Sequence, residues 1–110
     1  MSELKAIPAK FRKNSYDYTL IAREDDVAIY DQGRKGKTYA FEVVKIGKRA
    51  AREVGGRQYP AQEKLPADSD WGLRGKTYSA YLYGAMAARR LADDRMRVWV
   101  AEMAQKRLAA

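Results

Sequence analysis

The chain contains neither cysteine nor histidine. Without cysteine there are no disulfides, thiolate nucleophiles or cysteine metal sites. Without histidine as well, the usual zinc ligands, the common Ser-His and Cys-His nucleophile pairs, and the side chain that most readily moves protons at neutral pH are all missing. Long apolar runs are lacking too. The stretch Met1-Ser2-Glu3-Leu4-Lys5-Ala6-Ile7-Pro8 has no continuous apolar core of the kind a secretory signal needs, and no later run approaches the length of a membrane span. These absences point to a cytoplasmic chain with no membrane partner, no metal and no cofactor, acting by binding rather than by catalysis.

What is present suits one domain. A chain of 110 residues can bury one core, and 46% apolar with 33% charged residues fits a packed interior under a heavily solvated surface. The net charge of +8 is unevenly placed. Residues 1–15 carry +3 and residues 16–33 carry −4, through Asp17, Glu24, Asp25, Asp26 and Asp31 against Arg23. Residues 34–57 return to +6, residues 58–70 sum to −2, and residues 71–110 to +5. Clustered basic charge attracts polyanions, of which nucleic acid is the common one; an acidic protein surface satisfies the same physics.

Tyr16, Tyr18, Leu20 and Ala22 alternate with polar residues, the pattern of a strand with one buried face. Glu24-Asp25-Asp26 supplies a turn into Val27-Ala28-Ile29-Tyr30, and Gly33-Arg34-Lys35-Gly36 a second turn into the β-branched and aromatic run Thr38 to Ile46. A three-stranded antiparallel meander over 16–46 follows, after a basic segment over 1–15. Gly55-Gly56, Pro60 and Pro66 interrupt the next stretch, 47–70, which reads as a long, mostly irregular basic arm suited to contacting a partner. A short fourth strand fits 76–80.

The last segment, 82–108, is rich in strong helix formers. Ala85, Ala88, Ala92, Met96, Trp99 and Met103 recur at spacings of three and four, a stripe that buries against the sheet and has no cofactor role. The fold class is therefore α+β, an antiparallel meander of three to four strands packed by one long C-terminal helix. Arg89 with Asp93, and Arg90 with Asp94, are spaced to pair along the outer face of that helix.

One short pattern occurs twice. Gly33-Arg34-Lys35-Gly36-Lys37-Thr38-Tyr39 and Gly72-Leu73-Arg74-Gly75-Lys76-Thr77-Tyr78 share Gly-x-basic-Gly-Lys-Thr-Tyr. A Walker phosphate loop requires a further glycine where Asp31 and Asp70 stand, and it opens a helix, whereas both segments here enter strands. Two readings remain. Each loop holds backbone amides and a lysine against phosphates while the tyrosine stacks on a base, or each is a plain hairpin turn followed by a strand residue. The close carboxylates Asp25-Asp26, Asp68-x-Asp70 and Asp93-Asp94 are accounted for by turns and by helix pairing, and no catalytic set is assigned.

The order of Phe11-Arg12-Lys13-Asn14-Ser15-Tyr16-Asp17-Tyr18, Val27-Ala28-Ile29-Tyr30, Phe41-Glu42-Val43, Tyr59-Pro60-Ala61-Gln62-Glu63-Lys64-Leu65-Pro66 and Trp71-Gly72 resembles small uncharacterised proteins encoded by tailed bacteriophages. The resemblance covers about residues 11–80. It implies an accessory protein made in the host cytoplasm and carries over no catalytic residue. The expected function is binding of DNA or RNA, with Lys35, Lys37, Lys48, Arg49, Arg52, Arg57, Arg74 and Lys76 on phosphates and Tyr39, Tyr59 and Tyr78 as stacking groups. The alternative is stoichiometric inhibition of a host enzyme or defence complex, with the 47–70 arm as contact against an acidic surface of that protein.

Overall fold

Val27-Ala28-Ile29-Tyr30 is inaccessible to solvent on both faces, and the structure is arranged around that fact. The computed structural model describes residues 4–66 and 76–109. Its main sheet has five antiparallel strands in the order β1 (Lys10–Lys13), β2 (Tyr16–Glu24), β3 (Val27–Arg34), β4 (Lys37–Lys45) and β9 (Thr77–Ser79). Four short strands intervene between β4 and β9: β5 (Gly47–Arg49), β6 (Arg52–Val54), β7 (Arg57–Tyr59) and β8 (Gln62–Lys64). Two helices close the chain, α1 (Ala80–Tyr83) and α2 (Ala85–Ala109).

Register explains the two-sided burial. Ile29 lies opposite Val43, and Val27 and Phe41 share their face; these four pack against Ala88, Ala92 and Trp99 of α2. Alanines at the first two helix contacts let the backbone approach the sheet, and Trp99, Met96 and Met103 fill the wider end. On the opposite face Ala28, Tyr30 and Val44 join Tyr18, Ile7 and Ile46, with Phe11, Leu20 and Leu65 alongside. Phe11 stacks on Tyr18 at 4.7 Å and meets Tyr30 edge-on at 5.2 Å. The Tyr30 hydroxyl donates to the Pro8 carbonyl at 2.7 Å, and burial pushes its pKa up to about 12.

The expected α+β architecture is present, with three differences. Residues 1–15 are more than a basic lead-in, since Lys10–Lys13 forms an edge strand through an Asn14-Ser15 turn in which both residues are left-handed (φ 52° and 70°). The helix is broken at Gly84, whose φ of 82° ends the first turn and leaves Ala85 exposed. Within the arm, residues 47–64 are a regular β-hairpin rather than irregular chain. Gly47 faces Lys64, Arg52 faces Tyr59 and Val54 faces Arg57 in one continuous register. Gly55-Gly56, at φ 59° and 81°, make the two-residue turn such a ribbon needs, while Pro60, which has no N–H, marks the gap in the ladder.

The root of the arm is fastened to the rest of the fold by Glu63. Its side chain, 4% exposed, accepts from the two terminal guanidinium nitrogens of Arg23 at 2.6 and 2.5 Å and from the Ile7 N–H at 3.2 Å. Backbone bonds from Lys5 to Ala61 and from Glu63 to Lys5 complete the junction. The Arg23 hydrogen bonds hold the Glu63 carboxyl below its usual range. A depressed carboxyl pKa contributes stability above the unfolded value of about 4.3 and loses it as pH falls through the folded value. Glu63→Gln should therefore lower unfolding free energy by about 1–3 kcal/mol at neutral pH. In urea titrations across pH, its deficit against the parent should shrink at acidity below about pH 4.

Candidate nucleic-acid interface

At the root of the arm, where β4 leaves the main sheet, a depression of about 540 Å³ is lined by Lys45, Gly47, Lys48, Lys64, Leu65, Pro66 and Lys76. It holds four lysines, and no carboxylate is among the described residues that line it. Lys45 continues the inward face of β4 after Phe41 and Val43, and its ammonium sits over the buried Trp99, 4.6 Å from the ring centroid. Lys76 approaches the same ring at 5.8 Å and Arg95 at 5.9 Å. Lys76 is placed there by its own backbone, whose carbonyl accepts from the Val43 N–H at 3.0 Å. Lys48 is partly offset by Asp26 at 3.6 Å.

Above this root the ribbon is open to solvent, and every residue from 50 to 60 is exposed. Alternation within β6 and β7 puts Arg52, Val54, Arg57 and Tyr59 on one face of the tip, and Glu53 and Gln58 on the other. Arg52 lies 5.3 Å from the Tyr59 ring centroid, a cation–π pair. Arg49, half-buried, faces Gln62 nearer the root.

Lys37 and Lys76 do not converge. Lys35 and Gly36 form the turn between β3 and β4, and Lys37 starts β4, about 26 Å from Lys45 at strand rise. That turn borders a separate depression that also includes Asp17 and Asp31, which weakens its attraction for phosphate. Tyr39 is the extra residue of a bulge and packs edge-on against Tyr16 at 5.6 Å, beside Arg34. Tyr78 accepts from Arg95 Nε at 3.0 Å and packs against the core, so it is not the open stacking group expected from the sequence. Arg74, with Gly72 to Gly75, Asp68 and Asp70, lies outside the described residues.

The structural content of the repeat lies in its threonines. Thr38 donates to Asp31 at 2.9 Å and Thr77 donates to Glu42 at 2.8 Å, each satisfying a carboxylate on the neighbouring strand. Glu42 is buried, and burial raises its carboxyl pKa against the opposing pull of that hydroxyl.

Of the expected phosphate contacts, Lys48, Arg49, Arg52, Arg57 and Lys76 therefore share the arm and its root, while Lys35 and Lys37 stand apart. Lys45 and Lys64 complete the lysine set and were not anticipated. Lys45 had a legible signal, a lysine in phase with the inward Phe41 and Val43; Lys64 had none. The remaining acidic pairs are occupied: Asp25 and Asp26 meet Arg107, Asp93 meets Arg89 at 3.0 Å, and Asp94 meets Arg97 rather than the expected Arg90 at 3.4 Å. No group of carboxylates arranged for a metal occurs among the described residues, and none of their helices is long and apolar enough to cross a membrane.

No protein-family model matches the chain, and no match to it was found among curated proteins or solved structures.

Crowded ammonium groups around an indole make Trp99 an internal reporter of anion binding. In a Trp71→Phe background, pyrophosphate should change Trp99 emission, and Lys45→Ala with Lys76→Ala should weaken that response about tenfold or more, the effect of losing charge-assisted bonds. An unchanged midpoint in the double variant would show that the anion sits elsewhere.

Proposed function

We propose that this chain is a non-enzymatic nucleic-acid-binding module of phage accessory type, working in the host cytoplasm. The observation that carries the reading is the continuity of an exposed ribbon bearing Arg52, Arg57 and Tyr59 with a depression holding Lys45, Lys48, Lys64 and Lys76. Of the nearby carboxylates, Glu63 is held by Arg23, Asp26 lies within reach of Arg23, Lys48 and Arg107, and Glu53 is on the opposite face of the tip from Arg52 and Arg57. Basic side chains outnumber carboxylates along the arm and its root, which is what a polyanion requires.

Binding of labelled DNA or RNA should weaken steeply with salt, because each neutralised phosphate releases counterions. Some five to seven contacts imply a slope of about −4 to −6 in log affinity against log salt for duplex DNA. Each of Lys45→Ala, Lys64→Ala and Lys76→Ala should make that slope shallower by about 1, whereas Lys35→Ala should leave it nearly unchanged. Absence of binding even at low salt would remove the proposal.

A second reading draws on a different surface. Tyr81, Leu82, Tyr83 and Met86 are 93%, 73%, 52% and 81% exposed around the Gly84 break. Adjacent apolar groups of that size mark protein contacts, which suits capture of a host protein. Leu82→Ser with Met86→Ser should leave unfolding free energy within about 0.5 kcal/mol of the parent, since neither side chain supports the core. A larger loss in denaturant titration would assign the patch to folding.

A further inference from the structure

Resting on the nucleic-acid reading above, we infer that the ligand is double-stranded DNA, with the β5–β8 arm lying in its major groove. Single-strand binders stack successive bases on aromatic rings along one groove. Tyr39, Tyr59 and Tyr78 are not disposed for that, and the exposed Tyr81 and Tyr83 follow Ser79, which pairs with Ala40 rather than with the Lys45 end of β4. Tyr59 has one ring face taken by Arg52, Tyr39 packs on Tyr16 at the far end of β4, and Tyr78 is engaged with Arg95 and the core. No two of them form a track along the basic surface.

The ribbon has the dimensions of a groove reader. Its two strands lie about 4.8 Å apart, and with side chains the ribbon fits the roughly 12 Å width of the B-form major groove. The major groove of A-form RNA is deep and too narrow for side chains to read. The Gly55-Gly56 tip presents no side chain, so the leading end of the ribbon is slim. From Lys48 to Val54 the arm extends about 20 Å, well beyond the groove depth of about 8.5 Å. It therefore lies along the groove. Its Arg52 and Arg57 face turns to base edges, and the lysines at its root meet the flanking phosphates.

The test is anisotropy titration of the intact protein with a duplex DNA of about 20 base pairs, the matching duplex RNA, and the single DNA strand, at one low salt concentration, with methyl green and netropsin as major- and minor-groove competitors. The expected result is duplex DNA binding about tenfold or more tightly than either alternative and displacement by methyl green but not netropsin. Arg52→Ala with Arg57→Ala should weaken duplex DNA binding about tenfold or more and change single-strand binding little. Their exposed positions keep the fold intact, which circular dichroism checks. Equal affinity for the three ligands, tighter RNA or single-strand binding, or displacement by netropsin alone would overturn the duplex assignment while leaving nucleic-acid binding in place. No binding to any of the three would overturn both.

Discussion

Burial of β3 and β4 on both faces is the constraint on which the rest of the molecule depends. A two-sided apolar strand pair needs two covers, because each uncovered apolar side chain forfeits about 1.5–3 kcal/mol of burial. Helix α2 supplies one cover through Ala88, Ala92 and Trp99. The other comes from Ile7, Ile46 and Leu65, and these lie beside the two ends of the arm. Closing the second face thus brings the chain into position to launch the ribbon, and closing the first brings Trp99 under Lys45 and Lys76. The candidate interface stands where the two covers meet the end of β4.

Charge is sorted by the same geometry. The acidic stretch 16–33 places Asp25 and Asp26 at the turn between β2 and β3, next to the root of the arm. There they meet Arg23, Lys48 and the C-terminal Arg107. Arg107 sits in the last turn of α2, where a cation is also favoured by the helix dipole, so its pairing ties the helix end to the sheet. Arg23 and Arg107 are paired at this junction and Lys48 is partly offset there, whereas Arg52 and Arg57 share the tip of the arm with the single carboxylate Glu53. The lysine depression adds Lys45, Lys64 and Lys76 beside this junction, with no carboxylate among the described residues that line it.

The repeated Gly-x-basic-Gly-Lys-Thr-Tyr segment shows how one local pattern acquires two environments. Both copies feed a strand, and both threonines cap a carboxylate. The lysines diverge because β4 separates them: Lys37 begins that strand, whereas Lys76 pairs near its end at Val43. Similar chemistry in sequence is thus split between a turn that includes Asp17 and Asp31 and a lysine-lined depression.

Local signals were sufficient for the meander, the α+β class, the short strand near 77 and the buried stripe of the helix, because alternation, β-branching and three-four spacing act over a few residues. The edge strand Lys10–Lys13 is not legible in the sequence because a single apolar residue, Phe11, gives no alternation, although Asn14-Ser15 makes the hairpin turn. The arm looks irregular in sequence because its prolines and exposed polar residues carry no buried face, and its pairing becomes visible only when both halves are set in register around Gly55-Gly56. Basic composition alone determined the net charge of +8. Which lysines converge was decided by the tertiary structure, since Lys45, Lys48, Lys64 and Lys76 are separated in the chain and are brought together only by strand pairing and helix docking.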